Sequence, residues 1–299
     1  MVHKKKLRNT DKEDINNIFH FYTSEINQNF FNIYRSYYFI LKSRLLSYIK
    51  FLFGIKKRST KKTEIIYNKS WNKKDNKKWF SPKENLTIHY HNQKKVLASS
   101  GLTQRIWQNI IIKKIMEIRP KNILEVGSGN GINSFLIASC FKNIKITGID
   151  FSNNGIIKSN ELLKTKKFDK NFYQPLKFKF NKKKINNLNF MKMNAKNLKF
   201  TNGSFDFIFT ILALEQMNGI HLQVIKEIKR CAKKHIILIE PFKNLNLKGL
   251  SYLHHKSNDY LNLNYKDLEC ANFKINEYQY KYPNKISLNV GMVHLKKTL

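Results

Sequence analysis

The stretch NILEVGSGNGINSFL, residues 122–136, carries three glycines at every second position, Gly127, Gly129 and Gly131. The apolar run NILEV before them has the length and composition of a buried strand, and GINSFLIASCF after them has helical spacing. The glycines therefore lie on a predicted strand-to-helix turn. Missing side chains at such a turn let the backbone approach a ligand or another segment closely.

The residues after the last glycine exclude one kind of phosphate loop and fit another poorly. A P-loop needs Lys followed by Ser or Thr, and this sequence has Ile132 and Asn133 there. A dinucleotide fingerprint needs its third glycine where Ile132 stands, so that the helix can approach a pyrophosphate. A cofactor without a pyrophosphate and a purely structural turn both stay open.

The spacing Glu125-x-Gly127-x-Gly129-x-Gly131 resembles the first motif of class I S-adenosylmethionine-dependent methyltransferases. The resemblance implies that the loop, Ser128 included, lies against the methionyl part of the cofactor. It also implies that Glu125 interacts with the ammonium group of the cofactor, often through water.

A carboxylate follows at the tip of the next predicted strand, NIKITGID, which ends at Asp150. A planar carboxylate can accept two O–H donors at once, and in both dinucleotide and methyltransferase families this position holds the ribose hydroxyls. Asp150 is therefore predicted to bind a ribose, and Phe151 beside it could face the adenine ring or pack in the core.

The resemblance continues over about residues 100–299. The segment LNFMKMNAKNLKF implies adenine contacts from the side chain of Asn194 and the backbone N–H of Ala195. The family usually carries Asp where Asn194 stands, so this hydrogen bond loses its charge assistance. Thr210, on the predicted fourth strand FDFIFT, completes the set of residues predicted to bind the cofactor.

From residue 122 onward, short apolar runs alternate with helical segments, which is the pattern of a parallel sheet with helices on both faces. The final runs FKINEYQYKY and ISLNVGMVHLKK predict an antiparallel C-terminal pair. The predicted fold class is α/β, a Rossmann-like methyltransferase sheet flanked by helices and preceded by a helical N-terminal extension. We assign residues 1–78 to the extension and its linker, and 79–299 to the methyltransferase domain.

Three local predictions concern the region before the sheet. Residues 59–78 are polar and are predicted to be a linker with Tyr67 and Trp71 as anchors. Ser81, followed by Pro82 and Glu84, has the pattern of a helix N-terminus with a capping box. A further helix is predicted over 103–118, ending before Pro120.

Residues 30–58 form the most apolar segment, with a narrow polar stripe at helical spacing that Arg44 does not follow. Its internal Lys and Arg residues would each cost about 2.5 to 3.5 kcal/mol at the centre of a bilayer, so a transmembrane helix is not expected. Two alternatives stay open. The helix could lie in an anionic membrane interface, or it could dock on its own domain or on a second copy.

Charge alone does not assign a partner. The net charge is +36, but only seven of the 56 basic residues are Arg, the residue suited to bidentate recognition of phosphate and guanine. Abundant Lys with scarce Arg is also what an AT-rich coding sequence produces. A solvated lysine-rich surface is therefore favoured over a nucleic-acid site.

Residues 162–184 argue for nucleic acid, because this apparent insertion combines nine Lys with five aromatic residues. Basic side chains interleaved with aromatic ones could track a phosphate backbone and stack bases. The alternating LKFKF within it could instead be an edge strand or part of a lid, with its lysines outward. We favour the edge or lid interpretation.

Candidates for a general base are Glu215, just past the fourth strand, and His254 or His255 in the insertion after the fifth. Methyl transfer can proceed by alignment alone, so no base is required. Glu215 could equally cap a helix, and the two histidines could be surface residues. The tetrapeptide EPFK at 240–243 differs from the Asn/Asp-Pro-Pro-Tyr/Phe motif of amino methylation, which disfavours that subclass.

The sequence therefore predicts an S-adenosylmethionine-dependent methyltransferase that acts on a small or lipid-linked metabolite. The alternatives are an RNA methyltransferase that uses residues 162–184 and a non-catalytic cofactor-binding or scaffold protein. The three cysteines are far apart and show no metal-ligand spacing, and the N-terminus has no apolar run of a secretory signal. We therefore expect no metal and a cytoplasmic location, with peripheral membrane binding as the open alternative.

Overall fold

A computed structural model of the chain describes residues 9–24, 26–54, 60–73, 76–217 and 219–298. The helices are α1 Asn9–Thr23, α2 Phe30–Leu52, α3 Thr60–Lys73, α4 Asn76–Phe80, α5 Gly101–Ile118, α6 Ile132–Cys140, α7 Asn153–Thr165, α8 His221–Cys231 and α9 Gly249–Ser257. The strands are β1 Leu86–His91, β2 Lys94–Ser99, β3 Asn122–Val126, β4 Lys145–Asp150, β5 Leu188–Lys192, β6 Phe205–Ile211, β7 Ala232–Glu240, β8 Phe273–Gln279, β9 Asn284–Lys285 and β10 Gly291–Lys297.

The main sheet has seven strands in the order β5-β4-β3-β6-β7-β10-β8. Strands β3 to β7 are parallel, and β10 runs antiparallel to both β7 and β8. The chain order reverses on either side of β3, and ligands of such sheets bind outside the carboxyl ends of the strands at this point. The predicted α/β fold with an antiparallel C-terminal pair is confirmed.

Hydrophobic clusters cover both faces of the sheet. Successive side chains of a strand point to opposite sides, so one strand contributes to both clusters. On β3, Ile123 belongs to one hydrophobic cluster and Leu124 to the other. The first cluster continues into α1, α5 and α6, and the second into α8, whose Val224 and Ile228 are buried. Buried apolar runs such as NILEV form such strands because both of their faces leave water.

The N-terminal extension is helical as predicted, and it packs against the rest of the chain. Ile15, Ile18 and Tyr22 of α1 are buried in the first hydrophobic cluster, and the Tyr22 hydroxyl donates a hydrogen bond of 3.2 Å to the carbonyl of Phe80. Helix α2 packs on α9, where Tyr48 meets Tyr252 with ring centroids 6.3 Å apart. Of residues 30–58, the basic triplet at 56–58 lies outside the described residues.

Two local predictions before the sheet are wrong, whereas the predicted helix over 103–118 is confirmed within α5. The expected linker at 59–78 contains helix α3, because its aromatic residues pack against the sheet domain. Ser81 does not begin a helix. The chain there enters the hairpin β1–β2, whose tight turn at Asn92 and Gln93 has left-handed φ values of 47° and 64°.

The insertion at 162–184 contains no edge strand, so the edge-strand alternative for LKFKF is wrong, whereas its alternative as part of a lid stays a prediction. After α7 the segment forms short 3-10 turns and irregular chain, and its aromatic rings turn inward. Phe168 contacts Phe172, Phe180 and Phe135, with ring centroids 4.6, 5.3 and 5.5 Å apart. These rings pack on the first hydrophobic cluster, and their burial stabilises this irregular segment.

Candidate active site

A cavity of about 960 Å³ opens at the carboxyl ends of β3, β4 and β6. Its volume lies at the upper end of the range of about 300 to 1,000 Å³ typical of small-molecule sites. Residues of the glycine loop, of α3, of the turn after β6 and of β9 line it together. This volume can hold a cofactor and an acceptor side by side.

The glycine loop forms one wall and requires residues without side chains. Gly127 has a φ of +79°, and a Cβ there would lie 2.4 Å from the Cβ of Ala213 on the turn after β6. The N–H groups of Gly127 and Ser128 donate to the carbonyl of Ile149 at 2.8 and 2.9 Å, which ties the loop to β4. The buried Ser128 hydroxyl lines the cavity and has no hydrogen-bond partner among the described residues, so it can bond to a ligand.

Asp150 lies at the tip of β4 and lines the cavity. One carboxylate oxygen accepts from the N–H of Gly129 at 2.8 Å, and the other accepts from the N–H of Ser152 at 2.7 Å. Burial raises the pKa of Asp150, and these backbone donors oppose that shift. Since each carboxylate oxygen can accept more than one bond, the oriented group can still receive ribose hydroxyls.

Glu125 is buried and is not among the residues that line the cavity. Its oxygens accept from the side-chain amide of Asn133 at 2.9 Å and from the hydroxyl of Ser134 at 2.5 Å, both on α6. Burial raises the pKa of Glu125 to about 7. Asn133 does line the cavity, so it connects Glu125 to the cofactor space. A role of Glu125 toward the ammonium group stays a prediction.

Some of the other residues predicted to bind the cofactor line the cavity, and some do not. Phe151, Asn194 and Ala195 line the end of the cavity beyond Asp150, where an adenine was expected. The cavity wall does not include Gly129, Gly131 or Thr210. Gly131 precedes the first turn of α6, and Thr210 is buried within β6. They are placed to shape the loop and the sheet beneath it.

Helix α3 covers the cofactor end of the cavity, which sequence reasoning missed. Trp71 lies on the glycine loop so closely that a Cβ at Gly129 would be 2.3 Å from its ring. The side-chain oxygen of Asn68 accepts from the Ser152 hydroxyl at 2.8 Å and from the N–H of Asn154 at 3.1 Å. Tyr67 and Trp71, four residues apart, were the available signal, because that spacing puts both rings on one helix face.

Glu215 lines the cavity in the turn after β6, and a buried carboxylate holds that turn. Glu240, at the end of β7, accepts from the backbone N–H groups of Ala213, Leu214 and Glu215 at 3.0, 3.1 and 3.2 Å. Burial raises the pKa of Glu240 to about 7. Sequence reasoning considered EPFK only as a substrate motif and missed this positioning role.

Lys285 on β9 is a second cavity residue that the sequence did not reveal. Its amine lies 5.5 Å from the ring centroid of Trp79, which also lines the cavity. Burial lowers the pKa of Lys285 to about 8; the charge of Arg44 lowers it further, and that of Glu215 opposes this. No sequence pattern distinguishes Lys285, because it is one of many lysines.

The two histidine candidates lie on α9, outside the cavity wall. A ring nitrogen of the buried His255 is 3.1 Å from the carbonyl of Pro241. His254 bonds to Asn258 one turn later on the same helix. Neither side chain is placed to reach a reacting atom in the cavity, and of the three candidates Glu215 alone lines it.

Comparison with known proteins agrees with this geometry. Residues 124–239 match the family model of the methyltransferase domain. The [4+2]-cyclase SpnF has a similar structure, with a TM-score of 0.55 and 14% identity over 81% of this chain and 97% of that one. This likeness shows the fold alone.

Two further solved structures are similar at lower scores. A SAM-dependent methyltransferase from Methanosarcina mazei is 23% identical over 60% of this chain and 92% of that one, with a TM-score of 0.44. The PH0226 protein from Pyrococcus horikoshii is 17% identical over 67% of this chain and 92% of that one, with a TM-score of 0.47. No curated protein sequence matches the chain.

The chain therefore carries a class I methyltransferase domain, and the protein is an S-adenosylmethionine-dependent methyltransferase that acts on an acceptor substrate. Its cofactor is S-adenosylmethionine. The cavity fits that group, since the unpartnered Ser128 hydroxyl, the oriented Asp150 carboxylate and the close backbone at Gly127 all face one space.

Proposed function

We propose that the protein transfers the methyl group of S-adenosylmethionine to a small or lipid-linked acceptor. One observation carries this proposal: a single cavity extends from the predicted cofactor residues Asp150 and Asn194 to Glu215 and Lys285. Apolar and aromatic side chains line its second part, including Trp79, Trp107 and Leu288. Such a wall suits an acceptor with an apolar body.

The cofactor supplies an electrophilic sulfonium methyl group when it is bound. Ser128 and Asp150 hold its polar groups, and Asn194 and Ala195 bind its adenine. The loop around Gly127 fixes its position against the turn that carries Glu215. Alignment of the acceptor with the methyl carbon can supply a large part of the rate. For an acceptor that must lose a proton, Glu215 is the proposed base because it lines the cavity.

Calorimetry on the full chain with S-adenosylmethionine tests this proposal. Replacing Asp150 by Ala removes the acceptor of the Gly129 N–H and of the cofactor hydroxyls. Hydrogen bonds to charged groups contribute about 1.5 to 3 kcal/mol each, so Asp150→Ala should weaken cofactor binding at least tenfold. If the native chain gives no binding heat, or if Asp150→Ala binds equally well, the proposal is wrong.

Asp206→Ala is the matched control. Asp206 also accepts two backbone N–H groups, those of Lys121 and Asn122, both at 3.0 Å. It is the second residue of β6, at the opposite end of that strand from the cavity. Its removal should lower stability and leave cofactor affinity unchanged, which separates a local fold defect from loss of a ligand contact.

Helix α2 supports a lipid-linked acceptor and peripheral binding at the cytoplasmic face of a membrane. Its inner face packs on α9 and β1, while its outer face exposes a row of large apolar side chains. Phe31 is 67% exposed and Leu46 is 52% exposed. Among the described residues, no helix is long and apolar enough to cross a bilayer. A helix of this kind can lie in the interface.

Charge selects an anionic membrane as the surface that α2 fits. Arg35, Lys42 and Lys50 are exposed on the same helix, and its sequence contains no acidic residue. Each cation near an anionic lipid surface contributes about 1 kcal/mol. Arg44 departs from the predicted polar stripe because it lies on the inner side of α2, where burial lowers its pKa.

Flotation with phosphatidylglycerol and phosphatidylcholine liposomes tests the membrane interface. Full burial of one large apolar side chain is worth about 1.5 to 3 kcal/mol, so Phe31→Ser with Leu46→Ser should reduce partitioning at least tenfold. The pair Met116→Ser with Leu222→Ser is the control, since both residues are exposed on other helices. Equal losses in both pairs, or no preference for the anionic lipid, would refute the interface.

A further inference from the structure

We propose that Lys285, together with Trp79 and Trp107, forms a subsite that holds an anionic group of the acceptor, either a carboxylate or a phosphate. This inference rests on the proposed methyl transfer, because it assigns the acceptor part of the same cavity. It adds the chemical class of the acceptor, an apolar body with one anionic group. It also assigns recognition of that anionic group to Lys285, Trp79 and Trp107, which lie outside the glycine loop.

The position of Lys285 is fixed by strand pairing. Asn284 and Lys285 form β9, which runs antiparallel to β1, with Lys285 opposite His89 and Asn284 opposite Tyr90. The side chain reaches the cavity wall and lies over the ring of Trp79 at 5.5 Å. Trp79 is itself held by a 2.7 Å hydrogen bond from its indole N–H to Gln104 on α5. The amine therefore has a defined position.

The charge balance of the cavity leaves Lys285 without a directly paired anion. Among the described residues, no carboxylate lies within 4 Å of its amine, although Glu215 of the same cavity acts on it through its charge. Of the other cavity carboxylates, Glu64 pairs with Lys192 at 3.0 Å and Asp150 is bound by backbone N–H groups. A partly buried cation without a close anion is costly, and a bound carboxylate or phosphate removes that cost.

The neighbouring wall supplies the second observation. Trp107 lines the cavity and is only 4% exposed, and its indole N–H has no hydrogen-bond acceptor among the described residues. An oxygen of an anionic group can accept from this N–H, and the two indole rings provide apolar surface for the body of the acceptor. A purely structural contact of Lys285 with Trp79 would not account for the buried Trp107 N–H that lacks an acceptor among the described residues.

Binding of small probes to the full chain tests the subsite. The probes are benzoate, phenyl phosphate and uncharged benzyl alcohol, added at constant ionic strength to protein saturated with S-adenosylhomocysteine. A charge-assisted hydrogen bond is worth about 1.5 to 3 kcal/mol, so Lys285→Met should weaken both anions at least tenfold. Lys285→Arg should restore most of this affinity. Benzyl alcohol should bind equally to all variants.

Lys281→Met is the matched control, because Lys281 is exposed four residues before Lys285. It should leave all three affinities unchanged. At a fixed pH of about 8, benzoate should also slow acetylation of Lys285 and not of Lys281, as measured by peptide mass spectrometry. Equal loss of anion binding in both Met variants, or benzyl alcohol binding as tightly as benzoate, would overturn the subsite.

Binding of S-adenosylhomocysteine is measured in the same samples and separates the two proposals. If Lys285→Met keeps cofactor affinity and loses anion affinity, the subsite is supported within an intact cofactor site. If the native protein binds the cofactor and the anions bind no better than the alcohol, the subsite alone fails. If the native protein does not bind the cofactor, the proposed function fails as well.

Discussion

The glycine loop and the segments packed around the cofactor site are built in different ways. At the loop, the contacts join residues close in sequence, such as Gly129 with Asp150, 21 positions apart, and Asn133 with Glu125, eight apart. In the surrounding segments, they join distant residues, such as Asn68 with Ser152, 84 positions apart, and Arg105 with Gln174, 69 apart. Local contacts leave a motif in the sequence, and long-range contacts leave almost none.

Arg105 provides the largest test of this difference, since it joins α5 to Tyr22 of the extension and to the insertion. Its fully buried guanidinium lies 3.8 Å over the ring of Phe80 and donates to the carbonyls of Asn171 and Gln174. Removing it takes away the donor of these part-buried carbonyls and of the buried Gln108 side-chain oxygen. Hydrogen bonds from a charged group contribute about 1.5 to 3 kcal/mol each, so Arg105→Met should lower the free energy of unfolding by about 3 to 5 kcal/mol. Chemical denaturation followed by circular dichroism measures this.

Arg119→Met is the control for Arg105, because Arg119 is exposed at the end of the same helix. It should change the free energy of unfolding by less than about 0.5 kcal/mol. A small effect of Arg105→Met, or a separate early transition confined to the extension, would mean that the extension is an independent unit. One cooperative transition at lower denaturant would show that the extension and the sheet unfold together.

The sequence predicted much of the cofactor end for this physical reason. The run NILEV, the glycines and the next strand tip at Asp150 each act on near neighbours, and they predicted β3, β4 and the turn between them. Helix α3 was missed because its polar composition matches a linker, and only its contact with the sheet domain makes it helical. Glu240 and Lys285 have roles set by tertiary contacts, so single-sequence patterns could not mark them.

Gly129 and Trp71 form the contact between the glycine loop and helix α3, which covers it, and they give the second largest effect. The φ of Gly129 is +55°, and an added Cβ would lie 2.3 Å from the Trp71 ring. Gly129→Ala should therefore cost about 1 to 2 kcal/mol for the left-handed backbone and about 1 to 3 kcal/mol more for overpacking. In the Trp71→Ala background only the backbone cost should remain. A double-mutant cycle on unfolding measures the difference.

Gly203→Ala isolates the backbone cost. Gly203 has a similar φ of +64°, and its nearest atom to an added Cβ is 3.9 Å away. It should lose about 1 to 2 kcal/mol, independently of Trp71. If Gly129→Ala costs no more than Gly203→Ala, Trp71 does not rest on the loop in solution, and the cofactor end is open there.

The buried His89 predicts a pH dependence of the free energy of unfolding that tests whether β1 stays closed. It is buried in β1, opposite Lys285, and burial lowers its pKa to about 3 from an ordinary value near 6.5. Between these values the unfolded chain binds more protons than the folded one, so stability is lost as the pH falls below 6.5. At pH 5 the contribution of His89 alone is a loss of about 2 kcal/mol relative to pH 7. Glu125 and Glu240, whose pKa values burial raises to about 7, change stability in the opposite direction over the same range. Denaturation of the native chain and of a His89 variant at both pH values therefore isolates the His89 part.

His89→Leu should remove this part of the pH dependence, and His20→Leu, at an exposed position of α1, should retain it. The comparison uses the difference between the two pH values within each variant, so a constant change in stability cancels. An unchanged acid loss in His89→Leu would mean that β1 is open to water before the sheet unfolds. The acceptor end would then be a separable cover.

The ion pair between Glu64 and Lys192 should give the smallest effect, although it also joins α3 to the main sheet. The two charges are 3.0 Å apart, and the Lys192 side chain is 47% exposed, so water screens the pair. Exposed pairs contribute about 0 to 1 kcal/mol, and Glu64→Gln should change the free energy of unfolding by less than about 0.5 kcal/mol. Asn68→Ala, which removes two part-buried hydrogen bonds on the next turn of α3, should cost more. The reverse order would mean that charge, and not hydrogen bonding and ring packing, holds α3 over the cofactor end.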